Sequence, residues 1–162
     1  MKVAIIFYSF TGNTRKVASV IKDFLIKQNV EVKFLELKPK LESKRFVQQA
    51  AQSLFAKKVK LVGENIPDIS DSDHIFLGTP VWAFAPAPAM RSFIQDCKTL
   101  KNKKTSLFET YGSGLGKEKC LNKMETLLFK KANSVVNKFM ISDKKVDDNK
   151  YLSELISKNV QL

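Results

Sequence analysis

KVAIIFYSFTGNTRKVASVIKDFL, residues 2–25, changes its period halfway along. Its first part, 2–9, is a nearly continuous apolar run of strand length, as expected for a central parallel strand covered on both faces. In its last part Val17, Val20, Ile21, Phe24 and Leu25 recur at i, i+3, i+4, i+7 and i+8, with Lys16, Lys22 and Lys27 off that face, which predicts an amphipathic helix. Between the two lies one glycine, Gly12, among Ser9, Thr11, Asn13 and Thr14. A strand that passes through such a loop into a helix is the opening half of a βαβ unit.

The alternation continues along the chain. Residues 29–37, NVEVKFLEL, alternate as a strand that Pro39 ends, and Phe46, Val47, Ala50, Ala51, Leu54 and Phe55 predict a second helix over 43–57. HIFLGTP (74–80) reads as a short strand ending at its glycine, before VWAFAPAPAM (81–90). There Pro88 suits a first helical turn, and Met90, Phe93, Ile94 and Cys97 share one face. TSLFETYG (105–112) is the next strand and runs into GSGLG; Leu121, Met124, Leu127 and Leu128 mark a helix. SVVNKFMIS (134–142) is a last strand, and DDNKYLSELISKNV (147–160) a capped helix with Leu152, Leu155 and Ile156 inward. Strands alternating with helices predict an α/β domain, a doubly wound five-stranded parallel sheet with helices on both faces.

Bulk properties narrow the setting. A chain of 162 residues suits a single domain over 1–162 with one core. With no apolar run near the roughly 20 residues of a membrane span, and no leader pattern, the expectation is a cytoplasmic protein without a membrane partner. Cys97 and Cys120 fit no metal or CxxC spacing and read as buried thiols, and His74 has no ligand set around it. The formal charge of +12 comes almost wholly from lysine. Arginine, which dominates base and phosphate recognition, occurs only at positions 15, 45 and 91, so the charge reads as a solvated surface and no nucleic-acid partner is expected.

In open α/β sheets a ligand sits beyond the carboxyl ends of the strands. The segments there, SFTGNT, TPVWAFAPAP and TYGSGLG, are poor in charge and rich in hydroxyl, glycine or aromatic residues. The first has neither the GxGxxG of a dinucleotide fold nor the GxxxxGK[ST] of a Walker loop. Its side chains and the N-terminus of the following helix suit one terminal phosphate monoester, or else they form a helix-capping cluster with no ligand.

YSFTGNT after the first strand resembles the phosphate loop of the flavodoxin family; GTPVWAFAPAPAMRSFI and TYGSGLGK resemble its segments after the third and fourth strands. The likeness follows the whole chain in order, and resembles the short-chain branch. It implies a sheet of order 2-1-3-4-5 and noncovalently bound FMN. Ser9, Phe10, Thr11, Gly12, Asn13 and Thr14 would then hold the phosphate. Thr79, Pro80, Val81, Trp82, Ala83 and Phe84 would line one side of the isoalloxazine, with Trp82 against the ring. Thr110, Tyr111, Gly112, Ser113, Gly114 and Gly116 would make the other wall.

Three features depart from that family. Residues 82–85, Trp-Ala-Phe-Ala, offer no glycine for the positive-φ turn that favours a one-electron reduced flavin. Ser113 stands where short-chain relatives often carry an aromatic, so one flavin face is expected to be open. The lysine excess favours an anionic reduced flavin over that of the acidic flavodoxins. The expected function is electron transfer through FMN to a redox partner protein with an acidic docking face. The alternative is an FMN-dependent NAD(P)H reductase of a quinone or other small acceptor, and a third reading is a flavin-free basic binding module.

Overall fold

The structure is a computed structural model that describes residues 1–39, 68–131 and 133–160. The helix expected over 43–57 lies outside the described residues. The elements, in chain order, are β1 (Lys2–Phe7), α1 (Asn13–Ile26), β2 (Glu31–Glu36), β3 (His74–Trp82), β4 (Ala85–Pro86), α2 (Pro88–Asp96), β5 (Lys104–Tyr111), α3 (Lys117–Phe129), β6 (Ser134–Ser142) and α4 (Asn149–Asn159). Five strands pair in parallel in the order β2-β1-β3-β5-β6, which is the expected 2-1-3-4-5 path. β4 is an addition of two residues that folds back antiparallel on β3, with Val81 opposite Pro86 and Trp82 opposite Ala85.

Strand alternation divides the core between the two sheet faces. Val3, Ile5, Phe7, Phe76 and Phe108 point to the side where α1 brings Val17, Ala18, Ile21 and Leu25 and α4 brings Leu152 and Ile156. Ala4, Ile6, Ile75, Leu77 and Leu107 face α2, through Met90, Phe93 and Ile94, and α3, through Leu121, Met124 and Leu128. β1 is buried along Val3–Phe7 because both faces are covered, which is why its sequence does not alternate. β6, an edge strand, skips Val136 in its pairing with β5, and that residue faces solvent.

His74 and the cysteines take structural places. His74 begins β3, is buried with Nε2 2.9 Å from Ser106 Oγ, and stacks on Phe76 at 4.8 Å between ring centres. Cys97 and Cys120 are buried free thiols. Asp148 caps α4 by accepting a hydrogen bond from Tyr151 N–H at 3.0 Å. No helix among the described residues is long and apolar enough to cross a membrane.

β3 is longer than the sequence predicts. It continues past Gly78 through Pro80 to Trp82, because Pro80, paired with Thr110, stands near the strand's end where few ladder bonds remain, and β4 then supplies a partner for the last two residues. The chain reverses through Ala83 (φ 45°) and Phe84 (φ 65°), two consecutive positive-φ residues in a two-residue hairpin, which is the signature of a type I′ turn. Such turns favour Asn-Gly, and neither residue here is a glycine, so the turn stores roughly 1–2 kcal/mol at each position.

Candidate functional site

The three segments that follow β1, β3 and β5 come together at the carboxyl ends of the strands, where β1 lies between β2 and β3 and the strand order reverses. Four contacts join them. Thr14 Oγ1 and Thr110 Oγ1, both buried, are 2.9 Å apart and link the first segment to the last. Phe10 meets Trp82 edge-on at 5.9 Å, and Tyr8 approaches the same indole at 5.7 Å, which links the first to the hairpin. Phe84 lies against Gly116: a Cβ added there would be 1.7 Å from its Cδ1, so only glycine leaves room for the ring.

At the first segment, α1 starts behind Gly12 (φ 93°), which supplies no side-chain cap. Ser9 Oγ accepts a hydrogen bond from Arg15 N–H at 3.2 Å, and Lys16 N–H closes the first helical bond to Gly12 O at 3.0 Å. A Cβ on Gly12 would meet nothing within 4 Å, so the space beside this glycine is open. The helix N-terminus carries the positive end of the helix dipole and suits an anion. Thr11 is exposed and Asn13 half-buried beside it. Arg15 turns away, as its guanidinium makes a two-pronged pair with Glu36, at 2.9 Å from Nε and 2.7 Å from Nη2. Its charge is therefore spent on the end of β2, and the Glu36 carboxylate makes the Arg15 guanidinium hold its proton more firmly.

The second segment is built around Thr79. This hydroxyl is buried, donates to Pro80 O at 3.1 Å and accepts from Ala87 N–H at 3.0 Å, which fastens the two feet of the hairpin. Val81 and Trp82 are half-buried, and Ala83 and Phe84 are exposed at the tip. In the third, Thr110 is committed to Thr14, Tyr111 is half-buried, and Gly112 and Ser113 are exposed. Tyr111 packs near Gly114, where an added Cβ would be 3.6 Å from the ring.

The rim is apolar and cationic. Phe10 is 48% exposed, Phe84 45% and Leu115 72%. Lys117 Nζ stands 5.0 Å from the centre of the Tyr111 ring, and Lys119 Nζ 5.7 Å from that of Phe84. Both lysines sit in the first turn of α3, where a helix dipole disfavours cations, so the rim concentrates positive potential that folding does not require.

Beneath this rim the structure places a residue that the sequence reading passed over. Glu109, in β5, is fully buried, and neither carboxyl oxygen has a hydrogen-bond partner among the described residues. Burial raises its pKa from 4.5 to about 7, against the smaller pulls of the Cys120 thiol and the Lys117 ammonium. Burial and the Glu109 charge together push the Cys120 thiol far up, so it stays protonated. An acid inside an apolar strand, LFET, was the available signal. A cavity of about 500 Å³ lined by Val20, Phe24, Lys27 and Ile156 lies between α1 and α4, away from the three segments. Among the described residues no group of acids, cysteines and histidine is placed to hold a metal ion.

No curated protein sequence matches the chain. Among solved structures, a flavoprotein in complex with FMN from Lactobacillus acidophilus is 21% identical, with 91% of this chain and 97% of that one covered and a TM-score of 0.68. The two-electron reduced flavodoxin of Megasphaera elsdenii is 22% identical, covering 96% and 98%, at a TM-score of 0.64. The Trp repressor binding protein of Bacillus subtilis is 11% identical, covering 99% and 100%, at 0.69. These likenesses give the fold, that of flavodoxins and flavodoxin-like flavoproteins. Residues 1–146, which contain the six strands of the described residues, match the family described as NADPH-dependent FMN reductase, and the chain belongs to that family.

Proposed function

We propose that the protein binds FMN noncovalently and carries electrons to a protein partner. FMN is the cofactor that the family and the FMN-bound neighbour support. The residues present suit it: a helix N-terminus that begins at a glycine with open space beside it, where only Ser9 Oγ meets a first-turn N–H, neutral donors around it, and a flat aromatic wall at Trp82. On this reading Ser9, Thr11, Asn13 and Thr14, with the backbone N–H groups of the first turn of α1, hold the phosphate. Trp82 and the hairpin tip flank the isoalloxazine on one side, and the Tyr111–Gly116 segment flanks it on the other. Thr79 and Thr110 act from behind, as pins that hold the two walls in place. The flavin supplies the redox chemistry, so the protein's part is to hold it and present its edge.

The observation that carries the carrier reading is the rim. Exposed Phe10, Phe84 and Leu115 among Lys117 and Lys119 suit docking against a protein whose own face is acidic. The exposed Gly112 and Ser113 favour a second reading, a reductase fed by NAD(P)H that passes electrons to a quinone or similar small acceptor over an uncovered flavin face. Anaerobic mixing of FMN-loaded protein with NADPH separates the two. The carrier keeps its yellow colour until a separate reductase is added, and stepwise reduction populates a one-electron state. Bleaching by NADPH alone, with no one-electron state during reduction, refutes the carrier reading in favour of the reductase.

A further inference from the structure

A fully buried carboxyl with no donor beside it better than a thiol is expensive when charged and much less so when neutral, and such a group calls for an explanation. Glu109 is such a group, and its place in the sheet is informative. In register it lies between Thr79 of β3 and Met140 of β6, and the Thr79 hydroxyl is already engaged with Pro80 and Ala87. Side chains two apart on a strand share a face, so Glu109 stands under Tyr111, roughly 7 Å down the strand. Its chain neighbour Thr110 holds Thr14 in the first segment. Above it, the first turn of α3 contributes Cys120 and Lys117, the titratable and charged groups that face it; β3 and β6 contribute Thr79 and Met140, which do not titrate.

We propose that Glu109 is a redox-linked proton site, which binds a proton when negative charge builds up in the site above it and releases the proton when that charge leaves. The proposal rests on the FMN reading. Were a flavin held there to be reduced to its anion by two electrons from a separate reductase protein, the Glu109 carboxylate would take a proton from solvent, the only bond formed at Glu109 being O–H. Reoxidation reverses both transfers. The direction follows from electrostatics, because a unit charge about 10 Å away through protein changes a carboxyl's proton affinity on the order of tenfold. Burial has already brought Glu109 to about 7, so that factor acts within the neutral range. Lys117 opposes the response from one side, and the weak Cys120 S–H donor leaves the carboxylate poorly stabilised.

The test is electrochemical reduction of FMN-loaded protein at neutral pH in weakly buffered solution with a pH-indicating dye, together with infrared difference spectra. The wild type is expected to take up more protons per two electrons than Glu109→Gln, up to twice as many. Its protonated-carboxyl C=O band grows on reduction and is absent from the variant. Should Glu109→Gln fail to fold, Cys120→Ser replaces the weak donor by a hydroxyl that stabilises the carboxylate, and smaller uptake at neutral pH is expected. Equal uptake in wild type and variant, or no protonated-carboxyl band from Glu109 at any pH, overturns the proposal. Before any electron is added, the FMN-loaded protein is passed over an ultrafiltration membrane, and flavin that passes through instead of staying with the protein defeats the FMN reading itself.

Discussion

Replacing Gly116 by alanine puts a methyl group where Phe84 lies and asks an L-residue to hold φ 74°. The backbone term is about 1–2 kcal/mol for a Cβ in the left-handed region. The less flexible unfolded chain returns about 0.4–1 kcal/mol of that. The steric term is set by the ring: a Cβ at 1.7 Å from Cδ1 and 2.6 Å from Cγ leaves Phe84 no place on the loop, so the ring must swing out. Doing so forfeits its packing and the Lys119 contact at 5.7 Å, worth about 0.5–1 kcal/mol at an exposed site. The sum is a destabilisation of about 1–2 kcal/mol, or about 2–4 °C in Tm for each kcal/mol in a chain of this size. In a Phe84→Ala background the clash is gone and only the backbone term remains, so a double-mutant cycle read by urea unfolding is expected to give a coupling of about 0.5–1 kcal/mol. Equal costs of Gly116→Ala in the two backgrounds would show that the ring does not sit on Gly116, and with that the contact joining the hairpin to the glycine segment would be lost from the account.

Ala83→Gly relieves the left-handed conformation at an exposed position with no packing to lose, and thermal unfolding is expected to show a gain of about 0.5–1 kcal/mol after the flexible unfolded state is counted; a loss would mean that Ala83 does not hold φ 45°. Glu109 and His74 act oppositely on stability against pH. Glu109 folds with its pKa raised from 4.5 to about 7, so its stabilising effect is full below 4.5 and lost as pH rises to 7; His74, with its pKa lowered from 6.5 to about 4 by burial and by Lys104, stabilises above 6.5 and loses that effect as pH falls to 4. Each is on the order of 3 kcal/mol and they oppose one another between pH 4.5 and 6.5, so Glu109→Gln should unmask a steep acid loss in urea midpoints, and a variant that tracks the wild type would refute the assignment. Arg15→Ala removes an exposed pair with Glu36 and is expected to cost under about 1 kcal/mol and to leave FMN affinity unchanged; a large fall in affinity, measured by quenching of flavin fluorescence, would place Arg15 at the phosphate after all.

The period of the apolar residues by itself settles the class of fold, because it reports which faces are covered: unbroken in β1, which is sandwiched between helix layers, and helical in α1, whose inner face alone is buried. The loop compositions likewise marked the strand ends where the three segments meet. The sequence left open whether Ser9–Thr14 form a helix cap or a ligand loop, and the structure carries features of both: α1 begins behind a glycine that has no side chain to cap it, while Ser9 Oγ accepts from the first-turn N–H of Arg15. Other features exist only through contacts between segments distant in the chain. Nothing local forces Ala83 and Phe84 into a turn that prefers Asn-Gly; the pairing of Val81 with Pro86 and the space at Gly116, some thirty positions on, hold it there. Arg15 went to Glu36 because β2 lies beside β1, a fact of strand order. Glu109 reads in sequence as one acid in a strand. Only the sheet, with Thr79 and Met140 on its flanks and Cys120 above, takes it out of water with no donor better than a thiol, and desolvation is a property of the assembled neighbours, which a local pattern does not encode.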